Sequence, residues 1–237
     1  RTHSAEQALT ALEICLKEIP NVTGDLIYGV PGQGESDPAR DALKMADIGV
    51  AHFSAYHLSI PPSHFLYRKL PQDSFAFEQI YHVHESLKAK GFRQYEISNF
   101  SKPGFESKNN LNYWQGGPYA ALGPSAHGFD GHSKRWHNLP DWKAYVANLK
   151  NGLSVIHETE FLTVEQRKIE AIFTGLRLDT GVDLKEIEAR FQCEIISSNK
   201  SLFEFWDSQG FGTLDNGIFR PTFKGRMLAD ELAQKLI

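Results

Sequence analysis

Cysteine is almost absent: the chain of 237 residues carries only Cys15 and Cys193. Far apart and in different segments, they exclude a disulfide framework and a C-x-x-C metal site within this chain. That usage fits a reducing, cytoplasmic setting. No apolar run approaches the ~20 residues of a membrane span, so a spanning helix is not expected. Neither sign of charge dominates, since 25 Lys and Arg stand against 29 Asp and Glu. The formal net charge of −4 gives no reason to expect a general polyanion binder. The N-terminus has no signal-like pattern and opens with Arg1, directly before a helix start, so the chain is expected to be part of a longer protein. What is present is 41% apolar residues, enough for one large or two modest cores.

Ser4 and Gln7 make a capping-box pattern, and Ala5, Leu9, Leu12, Leu16 and Ile19 then share one helical face up to Pro20, with Cys15 expected as inert core beside it. Val22 to Tyr28 reads as a strand, followed by a Gly/Pro loop and a second helix opened by Pro38 and stopped at Gly49. A strand near Ala51 to Ile60, a helix from Phe75 to Lys90 capped by Gly91, and a strand "FRQYEIS" complete an αβαβαβ series. Such alternation calls for an α/β fold with parallel strands and right-handed crossovers. Three strands would leave exposed edges, so a missing N-terminal portion is expected to add βα units.

From Phe100 to about Tyr145 the periodicity gives way to Gly, Asn, Pro, His and aromatic residues. A loop region this long in a compact protein is usually functional or disordered, and its aromatic content argues against disorder. Beyond "NGLSVIHETE", Thr163 with Gln166 caps a helix to about Leu178, Asp183 caps another to Phe191, and a third covers Asn199 to Gln209. Asn216-Gly217 is a type I′ hairpin signal, and a last helix begins near Lys224. Three helices followed by a hairpin is the plan of a winged helix. From Glu160 onward, however, ten Lys and Arg meet thirteen Asp and Glu, and the third helix offers Lys200 against Glu204 and Asp207. DNA binding needs a basic face, so it is not expected; Leu202, Phe203, Phe205 and Trp206 suggest packing instead.

Two stretches could carry chemistry. "GDLIYGVPGQ" has glycines spaced unlike a dinucleotide fingerprint, lacks a following Gly-Lys-Ser/Thr, and loses an amide at Pro31, so a nucleoside triphosphate is not expected. The loop nevertheless follows a parallel strand, where α/β folds bind ligands. Asp25, Ile27 and Gly29 would share one strand face toward a ligand, or Asp25 would serve a neighbouring strand or loop. In the second stretch, His127, His132 and His137 occur with Tyr113, Trp114, Tyr119, Phe129 and Trp136, and with Lys108, Lys134 and Arg135. Aromatic walls, cations and imidazoles suit heme. The alternative is an aromatic hinge packed between two domains, which composition alone favours, since aromatics are common in any core. The remaining histidines give no metal pair: His52 and His57 diverge across a strand, and His84 reads as a satisfied core side chain.

The strings "HSAEQA", "DLIYGVPGQ", "GFRQYEISNFSKPG", "NNLNYWQGG", "ALGPSAHGFDG", "KRWHN" and "GLRLDTGVDL" together resemble the coproporphyrinogen III oxidase-like radical SAM family, and within it the HemW branch of heme chaperones. The resemblance implies the C-terminal half of a radical SAM partial (β/α) barrel at 1–104, an aromatic and His-rich connecting region at 105–157, and a winged-helix-like C-terminal domain at 158–237. It implies S-adenosylmethionine near Asp25, with a ribose hydroxyl on its carboxylate, and near Ile27 and Gly29, with the Tyr56 to Ser59 neighbourhood close by. It also implies a [4Fe-4S] cluster whose C-x-x-x-C-x-x-C ligands have no counterpart in this chain, so the chain alone is expected to catalyse nothing. The family's heme motif H-N-x-x-Y-W corresponds to Asn109 through Trp114: Asn110, Tyr113 and Trp114 match, and Asn109 replaces the histidine. Either His127 first and His137 second supply the axial ligand, or heme binds weakly. The partners so implied are heme or a porphyrin, a heme-accepting apoprotein and the rest of the same protein. Oxygen-independent coproporphyrinogen III oxidation is the chief alternative, and a winged-helix regulator the weaker one.

Overall fold

A computed structural model describes residues 3–237. Two compact units divide the chain between Glu106 and Ser107.

The first unit is built from α1 (Ala5–Glu18), β1 (Thr23–Tyr28), α2 (Asp37–Asp47), β2 (His52–His57), α3 (Asp73–Ala89), β3 (Arg93–Gln94) and β4 (Asn99–Ser101), with a short 3-10 turn at Tyr67–Lys69. Helix α1 starts at the capping box, where Ser4 Oγ accepts from the Gln7 N–H and Gln7 Oε1 accepts from the Ser4 N–H. None of its residues is buried and Cys15 is exposed, so the expectation of an inert core thiol is corrected. The strands order as β1-β2-β4-β3. β1 and β2 run parallel, as the βαβ pattern requires.

The third expected strand is different. "FRQYEIS" breaks after Gln94, bends, and returns as β4, which pairs antiparallel with both β2 and β3. The Tyr95 N–H donates to the Asn99 carbonyl and the Ala55 N–H to the Ser98 carbonyl, closing this hairpin on the sheet. Hairpin pairing satisfies the same backbone groups locally without a crossover, so the sheet is mixed. One face packs on helices: Leu26, Phe53, Ala55 and Phe100 bury with Ala42, Met45, Ile80, Val83 and Leu87. Gly24 is needed there, since an added Cβ would stand 3.0 Å from Met45 Sδ.

The second unit comprises α4 (Lys108–Trp114), β5 (His127–Phe129), β6 (Lys134–Asn138), α5 (Trp142–Lys150), β7 (Ile156–Phe161), α6 (Val164–Gly175), β8 (Val182–Asp183), α7 (Leu184–Phe191), α8 (Lys200–Ser208), β9 (Gly212–Asp215), β10 (Ile218–Pro221), α9 (Phe223–Met227) and α10 (Ala229–Leu236). The stretch expected as loop is therefore ordered into α4, α5 and an antiparallel sheet β5-β6-β7. Its Asn, Gly and aromatic content hid strands whose pairing is non-local. Downstream, the caps Thr163/Gln166 and Asp183 start α6 and α7. Asn216 and Gly217 take positive φ in the hairpin between β9 and β10. Phe203, Trp206 and Phe219 pack with ring centroids 5.2 to 5.6 Å apart at the centre of this core. Phe205, expected to pack with them, points to solvent.

Candidate functional site

Strand alternation places Thr23, Asp25 and Ile27 opposite the helix-packed side of β1, and the register sets them beside His52, Ser54 and Tyr56 of β2. Asn99 and Ser101 of β4 continue the same row. The result is a polar sheet face. The His52 imidazole is held between Thr23 Oγ1, 2.7 Å from Nδ1, and the Tyr95 hydroxyl, 2.8 Å from Nε2. Burial pushes its pKa down against the pull of the Asp25 and Glu106 carboxylates, which favours a neutral ring. Glu96 is only 1% exposed. Burial raises its pKa, although the Asn99 amide and the backbone N–H groups of Ser98, Asn99 and Ile97 donate to it. Asn99 Oδ1 and Ser101 Oγ are buried without a hydrogen-bond partner. Buried polar atoms are rarely left so, and a polar ligand on this face would satisfy them.

Asp25 itself is exposed, between the buried Gly24 and Leu26 of the helix-packed face. Gly29 leaves the Asp25–Ile27 face because β1 ends at Tyr28 and Gly29 turns to φ +74°. Its N–H donates to Gln79 Oε1 at 2.9 Å, and a Cβ there would lie 2.5 Å from the His57 ring. The glycine is required by packing against His57, and its amide is already used. Gln33 closes the same loop by accepting from the Val30 N–H and donating to the Ile27 carbonyl. Amides spent internally make no phosphate cradle.

In the second unit, His127 lies opposite His137, and Phe129 opposite Arg135, on β5 and β6. Alternation puts all four on one sheet face, the two pairs about 7 Å apart along the strands. The His127 and His137 rings stack with centroids 5.2 Å apart, and the His157 ring meets His137 edge-on at 5.2 Å. On the opposite face Gly128 leaves room for Trp136, whose indole a Cβ would approach to 2.4 Å. A bulge between His137 and Asn138 shifts the register with β7 and brings His157 into the row. Among the described residues no group of three or more His, Cys, Asp or Glu could hold a bare metal ion.

Beside this face lies a cavity of about 700 Å³ lined by Tyr113, Trp114, Tyr119, Phe129, Arg135 and residues of α6 and α7. Tyr113 and Tyr119 meet edge to face at 4.8 Å. The Arg177 guanidinium sits 5.6 Å from the Trp114 ring and pairs with Asp230 at 2.5 Å, which fixes Trp114 from behind. Arg135 Nη2 donates to both carboxylate oxygens of Glu170, at 3.0 and 2.9 Å, and the buried Arg135 Nε is left unpartnered.

Residues 162–228 match the HemN C-terminal domain family. Heme chaperone HemW of Mycobacterium tuberculosis (strain CDC 1551 / Oshkosh) is 31% identical over all of this chain, and that of Bacillus subtilis (strain 168) 28% identical over 98% of it. The resemblance to the coproporphyrinogen III oxidase-like radical SAM family, read from the motifs, is thereby shown. It spans 60% and 63% of the length of those two relatives. A bovine relative, radical S-adenosyl methionine domain-containing protein 1, mitochondrial, is 30% identical across the whole chain and matches over 58% of its own length. The α/β fold is that of coproporphyrinogen III oxidase (HemN) from Escherichia coli, with a TM-score of 0.77 at 16% identity, covering all of this chain and 59% of that one.

Against this family pattern, Tyr113 and Trp114 line the cavity, whereas His127 and His137 sit on the neighbouring sheet face. Asn110 lies on α4, where its N–H donates to the Ser107 cap. Cys15 and Cys193 stand in separate units, and neither has the neighbours of a cysteine-ligated cluster. Sequence reasoning passed over Glu96, Asn99, Ser101, His157, Arg167 and Arg190. For His157 a signal was present, since "VIHETEF" carries the β-branched and aromatic residues Val155, Ile156, Thr159 and Phe161 that suit a strand. No helix among the described residues is long and apolar enough to cross a membrane.

The raised pKa of Glu96 gives a testable sign. The folded chain holds this proton to higher pH than the unfolded chain does, so stability falls as pH rises through the ordinary carboxylate range toward the raised value. Glu96→Gln keeps an acceptor for Asn99 and removes the charge. It should be more stable than the parent at neutral pH, with the advantage vanishing in acid; urea midpoints at pH 4 and pH 7 would check this.

Proposed function

We propose that this chain is the C-terminal portion of a radical SAM-type heme chaperone, a protein that binds heme and passes it to apoprotein acceptors in the cytoplasm. The observation that carries the reading is the second unit's sheet face, where the stacked His127 and His137 rings adjoin Phe129, Arg135 and the cavity walled by Tyr113 and Trp114. Flat apolar walls, imidazoles and guanidinium groups are the chemistry a carboxylated iron macrocycle requires. The names of the relatives support the same reading.

Within it, residues up to about 104 are the second half of the radical SAM barrel, 105–157 contribute the heme region and 158–237 the winged-helix-like domain. Asp25 and Ile27 would meet S-adenosylmethionine on the polar face of the first unit, where the unpartnered Asn99 Oδ1 and Ser101 Oγ call for a polar ligand. Gly29 would contribute shape rather than its amide. A [4Fe-4S] cluster would depend on thiolates outside this chain.

The test is a titration of the 237-residue chain with ferric and ferrous heme, followed at the Soret band. Saturable binding near one equivalent with a displaced Soret maximum is expected. A spectrum that stays that of free heme at every ratio would remove the heme site from this chain. The rival reading, decarboxylation of coproporphyrinogen III, predicts that full-length protein with reductant consumes that porphyrinogen; the chaperone reading predicts heme transfer to an apoprotein without such turnover.

A further inference from the structure

The aromatic cavity of the second unit has a second kind of wall that the heme motif does not include. Arg167, in the first turn of α6, and Arg190, in the last turn of α7, both line it. The two guanidinium groups flank one ring, with Arg167 Cζ 6.0 Å and Arg190 Cζ 5.1 Å from the Phe191 centroid. Among the described residues neither has a carboxylate within ion-pair distance. The acids on the same wall are mostly engaged: Glu170 accepts from Arg135 Nη2 at both oxygens, and Asp183 accepts from the Glu186 N–H as the cap of α7, leaving Glu186. Contact with the Phe191 ring engages both guanidinium groups without neutralising them. Arg135 adds a buried Nε donor with no partner on the same wall.

We propose that Arg167 and Arg190 form a carboxylate-binding edge of this cavity, which takes the acid side chains of a tetrapyrrole whose ring lies against Tyr113, Tyr119 and Phe129. This rests on the heme reading of the unit and adds to it what the site recognises: the paired acid groups of the macrocycle, whether or not iron is present. Two guanidinium groups suit two carboxylates better than any single anion, because each can bind bidentately.

The experiment uses metal-free protoporphyrin IX and its dimethyl ester, titrated into the 237-residue chain and read by porphyrin fluorescence, with heme titrated in parallel. The free acid should bind saturably to the parent chain, and the ester on the order of tenfold more weakly. Arg167→Gln with Arg190→Gln should weaken the free acid by a similar factor and leave the ester unchanged; the ester on the parent chain answers the question even if the double variant unfolds. If acid and ester bind the parent equally, or the folded variant binds the acid as the parent does, the carboxylate edge is refuted while heme binding stands. If neither porphyrin nor heme binds, the heme reading fails and takes this proposal with it.

Discussion

A chain carrying His127→Ala and His137→Ala is expected to lose the displaced Soret band on heme addition and to bind heme on the order of tenfold to a hundredfold more weakly. The two rings stand on adjacent strands, project to one face and stack at 5.2 Å, so either can turn an imidazole nitrogen outward while the other supports it. His127 is exposed and His137 half-buried, so under the heme-chaperone reading proposed above His127 is the accessible ligand and His137 its neighbour or substitute. Single variants should therefore show partial losses, with His127→Ala the larger. His157→Ala tests the edge of the row, since its ring touches only His137 among the three. His132 is the control, because it sits in the turn between β5 and β6, where its N–H donates to Asp130 Oδ1. An unchanged spectrum in the double variant would move the iron ligand away from this face altogether.

Trp206→Ala should cost about 3–5 kcal/mol, enough to unfold much of a domain whose total stability is of order 5–15 kcal/mol. Trp206 is 1% exposed and packs against both Phe203 and Phe219, so its removal leaves a cavity bounded by two rigid rings from α8 and β10. The preceding residue supplies the contrast. Phe205 is 53% exposed, and Phe205→Ala should change stability by no more than about 0.5 kcal/mol. Denaturant midpoints of the two variants would measure the difference directly. Near-equal losses would mean that α8 is turned differently from the arrangement described.

The ends of the elements were readable because they depend on neighbours in sequence. Ser4 with Gln7, Thr163 with Gln166, and Asp183 each carry the oxygen that an unpaired helix N–H needs within three residues, and the structure uses all of them. Asn216-Gly217 supplies two positive φ angles side by side, which only a hairpin turn rewards. The aromatic stretch between Phe100 and Tyr145 failed this kind of reading. Its strands are three to five residues long and owe their existence to partners 6 to 27 positions away, so no local period announces them.

The sequence alone determined an α/β chain with a helix-rich C-terminal part, the candidate residues Asp25, Tyr113, Trp114, His127 and His137, and the family motifs that contain them. Tertiary structure decided which of these meet. It turned Asp25 toward solvent and Gly29 toward His57, reversed β4 against β2, gathered His157 beside His137 through a bulge, and set Arg167 and Arg190 around Phe191. Each of those outcomes depends on strand register or helix packing between distant segments, where one residue of slip would carry a side chain to the opposite face.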